Sequence, residues 1–236
     1  MKKIIVLFIC AFASIVVKGQ TIFGAWETYH TSENGAQLKS VAIVSDAYYV
    51  LTTYNVATGK FVNSNGGSWK LEGDLITQKI AFHTDDSELV GKELSFKVAI
   101  SDDVLKIVDN NIQFNRIDSG APGKLQGAWL MSGRVMDGKT QLRDTSGPRK
   151  TMKILSGTRF QWIAYNTQTK QFMGTGGGTY TTIDGEYTEN IEFFSKDDSK
   201  VGLSLKFNFE LKDGKWHHSG SSSKGDPIHE IWSVRD

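Results

Sequence analysis

A carboxylate set among alternating aromatic and apolar residues is where this chain could do chemistry. In the run Tyr187-Thr-Glu189-Asn-Ile191-Glu-Phe193 a period of two places Tyr187, Glu189, Ile191 and Phe193 on one face of a strand. A carboxylate on an apolar face is costly to bury alone. Glu189 must therefore either meet an internal partner, such as an arginine or a hydroxyl, or lie near an open mouth in contact with ligand and water. An earlier run, Ile76-Thr-Gln78-Lys-Ile80-Ala-Phe82, repeats the pattern with an uncharged Gln78. His30 follows Trp26 and Thr28 on one face of another strand, and Trp162 is a large residue that faces inward in its own strand. Gln78, His30, Tyr187, Glu189 and Trp162 are thus the candidate ligand contacts.

No catalytic set accompanies them. Neither a Gly-x-Ser-x-Gly elbow nor a Ser/His/Asp set in motif context occurs, and no acid and base pair is repeated. His217 and His218 are neighbours on a strand, so they point to opposite faces and do not chelate from one side. Asp85-Asp86 and Asp197-Asp198 lack the spaced oxygens and turn glycine of a calcium loop. Gly176-Gly177-Gly178 is followed by no Lys-Ser/Thr and no helix, which removes a phosphate loop. No metal and no cofactor is expected. Met136–Lys150 gathers Lys139, Arg143, Arg149 and Lys150 among turn formers, either as a solvated loop or as an anion-attracting lid.

The elements that must position these residues are short strands. Leu203-Ser-Leu205-Lys-Phe207-Asn-Phe209-Glu-Leu211 alternates strictly, as does Leu94-Ser-Phe96-Lys-Val98-Ala-Ile100, which implies antiparallel sheet with one buried face. Laid over itself with a displacement of 111, the chain matches Ala42–Ile107 to Lys153–His218 without a gap, and 17 of the 66 positions are identical. Tyr54-Asn55 matches Tyr165-Asn166, Gly66-Gly67 matches Gly177-Gly178, and Phe82 matches Phe193. Gly24-Ala25-Trp26 recurs as Gly127-Ala128-Trp129 at a displacement of 103, so the second copy holds 8 extra residues in its first connection. The shared glycine pairs suggest a bulge or sharp bend in one strand of each copy.

The reading is all-β: two tandem up-and-down antiparallel β-barrels of about eight strands each, since closure removes the sheet edges. Residues 21–118 and 127–236 form the two barrels, and residues 119–126 the linker. Lys2 and Lys3 followed by the apolar run Ile4–Val17 read as a signal peptide over residues 1–20, too short for a membrane span. Cys10, the chain's single cysteine, lies inside it, so disulfides and thiolate sites are absent from the remainder. Export to the periplasm or cell exterior follows, with no membrane span after cleavage. A formal charge of +1 over the chain excludes a general nucleic-acid binder.

A Gly-x-Trp opening the first strand of a ~100-residue β-meander resembles the calycin, or lipocalin, class of barrels. The run from Gly178-Thr179-Tyr180 to Phe193 is similar to the compact lipocalin-like domains of secreted bacterial proteins of uncharacterised function. In that class the tryptophan sits at the closed end with an Arg or Lys of the last strand across it. The resemblance therefore implies structural pairs Trp26 with Arg116 and Trp129 with Arg235. It implies a fold and no chemistry. The function expected is non-enzymatic binding of a small, largely apolar molecule in a lumen. The rival is an envelope interaction module with a protein or glycan partner and filled barrels.

Overall fold

The structure is a computed structural model and describes residues 21–121 and 123–235; the expected leader and Cys10 lie outside them. The chain is all-β. Strands β1 (Gly24–Thr31), β2 (Gln37–Val44), β3 (Tyr48–Asn55), β4 (Phe61–Glu72), β5 (Leu75–His83), β6 (Glu93–Ile100), β7 (Val104–Ile107) and β8 (Ile112–Asp118) pair in sequence, and β8 returns to β1. They make a closed antiparallel barrel. Next come β9 (Gly127–Met136), β10 (Lys139–Leu142), β11 (Arg149–Leu155), β12 (Arg159–Asn166) and β13 (Gln171–Ile183). The chain ends with β14 (Glu186–Phe194), β15 (Ser204–Lys212), β16 (Lys215–Ser221) and β17 (Pro227–Val234). Pairing of β17 with β9 closes these into a second eight-stranded barrel, with β10 attached outside the cycle as a flap on β9. Among the described residues no helix is long and apolar enough to cross a membrane.

The flap is where the extra residues of the second copy go. Rather than an irregular loop, the first part of Met136–Lys150 is a hairpin turned by Asp137-Gly138, with φ of 50° and 69°. Asp-Gly supplies the two left-handed positions that a tight hairpin needs.

The glycine pairs decide which way the aromatics face. Between β4 and β5 the register steps from Gly66↔Phe82 to Gly67↔Ile80, and between β13 and β14 from Gly177↔Phe193 to Gly178↔Ile191. Each step leaves one residue unpaired, Ala81 or Glu192, and a bulge of one residue reverses the alternation beyond it. Ile80 and Ile191 therefore point into their barrels, whereas Phe82 and Phe193 point out. This corrects the strict period-two reading, which placed Phe193 inside with Tyr187, Glu189 and Ile191. The backbones meet too closely at the bulges for a side chain: a Cβ on Gly67 would lie 1.9 Å from the Lys79 carbonyl oxygen. On Gly178 it would lie 2.0 Å from that of Asn190.

The outward aromatics form a third core, between the barrels. Tyr54 stacks on Phe193 with centroids 5.0 Å apart, and Phe82 packs on Tyr165 at 5.1 Å. Phe61 and Phe172, equivalent to each other in the repeat, lie parallel within 5° at 6.0 Å. The barrels thus meet through the same face of each copy, as in an isologous dimer. At its centre the Gln161 amide donates to Ser64 Oγ (3.2 Å) and Thr175 Oγ1 (2.9 Å), again equivalent residues, and accepts from Thr52 (2.8 Å). Tyr54 donates to Glu192 at 2.5 Å, and Arg159 pairs with the same carboxylate at 2.6 Å.

The connection between the barrels starts from a fixed point. Asp118, at the end of β8, is buried and accepts from Ser156, Gly157 and Thr158 of the β11–β12 turn and from Gly120. Burial alone would push this carboxyl up; the hydrogen bonds from Thr158, Gly120, Ser156 and Gly157 outweigh it and hold the pKa below the usual value.

At the closed ends, each tryptophan indole donates four residues back: Trp26 to the Ile22 carbonyl at 2.8 Å, Trp129 to that of Leu125 at 2.9 Å. The Arg116 guanidinium lies 3.9 Å from the Trp26 ring centroid. Arg235 does not sit on Trp129. It crosses to the other barrel, 4.0 Å over the Tyr48 ring, and donates to the Tyr165 hydroxyl at 2.6 Å. The third core offers the guanidinium a ring face and an acceptor together, while Trp129 is packed edge-on to Trp216.

Candidate functional site: two lumens of different chemistry

Each barrel holds a cavity. That of the first barrel measures about 220 Å³ and that of the second about 350 Å³. Eight positions line both at the displacement of 111. Around the first cavity stand Ala42, Leu51, Gln78, Ile80, His83, Leu94, Phe96 and Ile107. Their equivalents Lys153, Trp162, Glu189, Ile191, Phe194, Leu205, Phe207 and His218 surround the second. The two lumens are therefore the same site built twice, with five of the eight positions altered. Ala42 becomes Lys153, Gln78 becomes Glu189, Ile107 becomes His218, Leu51 becomes Trp162 and His83 becomes Phe194.

In the first lumen the walls are almost wholly apolar. Polar groups come from Gln78, Asn65, His83 and the Tyr49 hydroxyl, while the Trp69 indole N–H is engaged by the Ser45 carbonyl; burial pushes the Tyr49 phenol well up, so it stays protonated. A surface of this kind accepts a neutral apolar body and offers a few hydrogen bonds to orient it.

The second lumen contains a buried ion pair. Lys153 Nζ lies 2.8 Å from the Glu189 carboxylate, and each side chain is only 6% exposed. β11 and β14 present the two residues from facing walls. The ammonium also sits 5.0–5.9 Å from the ring centroids of Trp216, Tyr187, Trp232 and Phe207, a cage that favours a cation. Tyr187 is fully buried; burial, then the charge of Glu189, drives its pKa well up. His218 packs 4.2 Å from the Phe207 ring, and burial together with Lys153 and His229 pushes its pKa well down, so it is neutral. Glu230, on β17, is pushed up by burial and by Glu189, against Lys153, the Trp232 indole and Arg134.

Residues 124–234 match the model of a family described as a domain of unknown function, DUF4488. The matched span holds the whole of the second barrel and none of the first. A search of curated proteins finds no match to the chain.

Of the residues singled out in the sequence, Gln78 lines the first cavity, and Glu189 and Trp162 line that of the DUF4488-matching barrel. Tyr187 lies under the second cavity, in the packed layer between Trp216 and Phe207. His30 is brought to neither: it falls near the end of β1, where the strand has run past the barrel, and is exposed. A lysine on a strand reads as a solvated residue, so Lys153 is missed by inspection of one copy, as are Arg134, His218 and Glu230. The signal was in the comparison of copies, where a new cation at Ala42/Lys153 is matched by a new anion at Gln78/Glu189. Glu189 itself is engaged by Lys153 through Oε1 at 2.8 Å. Among the described residues no group of three or more His, Cys, Asp or Glu side chains could hold a metal.

Proposed function

We propose that this chain is an exported, lipocalin-like pair of barrels that binds a small, largely apolar molecule in the first lumen and does not transform it. On this reading residues 1–20 are a signal peptide, residues 21–118 the ligand-binding barrel, residues 119–126 a junction and residues 127–236 the second barrel. The observation that supports it best is the first cavity: about 220 Å³, walled by Ile76, Ile80, Leu94, Phe96 and Leu105, with Gln78 as its oriented polar group. A filled barrel with a purely structural interior would have no such space.

The test is binding of a neutral apolar fluorophore, N-phenyl-1-naphthylamine, to the full chain. Leu94 is partly exposed at the rim of the first cavity, so Leu94→Trp narrows it without entering the core. One site is expected, lost in Leu94→Trp and kept in Leu205→Trp, the equivalent change in the second barrel. Probe binding that survives Leu94→Trp in a protein with an unchanged melting temperature would sink the reading. It would leave an envelope interaction module as the better description.

A further inference from the structure

We propose that the lumen of the second barrel is a separate binding site for a small monocarboxylate, whose carboxylate meets Arg134 at the rim and whose apolar body lies against Trp162, Phe194 and Leu205. This goes beyond the apolar site of the first barrel and does not depend on it.

Three observations carry it. The first is the balance of charge around the cavity. Lys153 is neutralised by Glu189 at 2.8 Å. Arg134 lines the cavity, is exposed, and has no hydrogen bond or ion pair among the described residues. Its neighbour across the β9–β17 pair is Glu230, whose carboxyl accepts from the Trp232 indole at 3.2 Å and makes no hydrogen bond to the guanidinium. The rim therefore presents a guanidinium whose donors meet no side chain among the described residues, a fork that matches a carboxylate in two parallel hydrogen bonds. The second observation is an orphan polar atom. His218 lines the same cavity, is 1% exposed, and its Nδ1 is buried without a hydrogen-bond partner. A buried polar atom left unmet costs free energy until a ligand or water satisfies it.

The third observation is size and shape. About 350 Å³ bounded by the Trp162 indole, with Phe194 edge-on to it at 5.4 Å, suits a flat ring or short chain. The first lumen offers none of this at the equivalent positions. It has Leu51 for Trp162, His83 for Phe194 and Ile107 for His218, and no Lys or Arg among the residues that line it. A single anionic group with an apolar body uses Arg134, Trp162 and Phe194 together. A dianion would have to face Glu189, and a cation would have to displace Arg134.

The test titrates the full chain with benzoate, 2-naphthoate and octanoate, and with 2-naphthamide as the uncharged control, following tryptophan fluorescence and heat. At least one acid should bind with one site, at least tenfold more tightly than its uncharged counterpart, and more weakly as salt is raised. Arg134→Gln should cost the acid at least tenfold and leave 2-naphthamide unchanged, while Arg134→Lys restores part of the loss. Leu205→Trp should abolish acid binding, and Leu94→Trp should not. Equal binding of acid and amide, an Arg134→Gln protein with undiminished acid affinity, or no binding by any of the three acids would overturn the proposal. Acid binding lost in Leu94→Trp alone would also overturn it. Arg134 lies on the exposed face of the rim, so its variants are expected to fold, and the melting temperature of each verifies this.

Discussion

Replacing Glu189 by glutamine removes one charge and almost no volume, and leaves the Lys153 ammonium in a site that is 6% exposed. Breaking a buried pair from one side typically costs about 3–5 kcal/mol, because the remaining charge keeps its desolvation penalty and loses its partner. The four rings within 5.9 Å of the ammonium stay in place in the variant and continue to favour the cation, so the lower end, about 3 kcal/mol, is expected. Lys153→Met should cost a similar amount by stranding the carboxylate. The double variant Lys153→Met/Glu189→Gln has neither charge and keeps most of the volume. It should lie within about 1 kcal/mol of the parent, giving a coupling of about 5 kcal/mol. Urea unfolding followed by tryptophan fluorescence measures all four proteins. For a chain of this size the single variants should melt roughly 6–12 °C lower. A Glu189→Gln protein within about 0.5 kcal/mol of the parent, or strictly additive single and double variants, would refute the reasoning; the ammonium would then have found Glu230 or water instead.

Three further outcomes test the frame around the lumens. Asp118→Asn should cost about 1–3 kcal/mol at neutral pH, since it removes the charge that the four hydrogen-bonding residues of the junction hold. Because the folded pKa of Asp118 is depressed, its contribution is complete above the unfolded value near ~3.9 and fades as pH falls through the folded one. The variant should therefore lose stability less steeply in acid. Gly178→Ala drives a Cβ to 2.0 Å from the Asn190 carbonyl oxygen and should destabilise by about 3 kcal/mol, whereas Gly147→Ala, with open space around it, should change stability by less than about 0.5 kcal/mol. Tyr54→Phe removes the hydrogen bond to Glu192 between the barrels and should cost about 1.5–3 kcal/mol by the same unfolding assay.

The barrel architecture was legible because it follows from signals that act locally. Strict alternation in Leu203–Leu211, glycine-rich turns and a gapless repeat all report on neighbours along the chain. Their outcome, two closed antiparallel barrels, needs no knowledge of how the copies meet. What escaped was set by contacts distant in sequence. Phe193 reads as an inward residue until the bulge beside Gly178 shifts the register, and nothing in the run itself says that a second barrel waits outside. Arg235 was paired with Trp129 by resemblance to a solitary barrel, and the shared core supplied Tyr48 and Tyr165 in its place. Lys153 acquires meaning only opposite Glu189, 36 residues away. His30 failed for a simpler reason: alternation gives the face of a strand and not its height along the barrel.

Several of the identities within the repeat fall where geometry leaves least freedom. Tyr54 and Tyr165, Phe61 and Phe172, and Phe82 and Phe193 build the interface, while Gly66-Gly67 and Gly177-Gly178 shape the strands that present it. In an isologous contact each residue meets the other copy's version of the same face, so a change in one copy disturbs the fit of both. A lumen has no such tie. Position 42/153 touches only its own barrel, and so a lysine can enter one lumen provided that the same lumen supplies the carboxylate, as Glu189 does at 78/189. The physical consequence is a division of labour between surfaces: the outward face of each barrel is bound to its twin, and the inward face is free to change its ligand. Two barrels with identical walls would gain only a second copy of one site. An ion pair, a neutral buried histidine and a free rim arginine in one of them make a site of a different kind on the same frame.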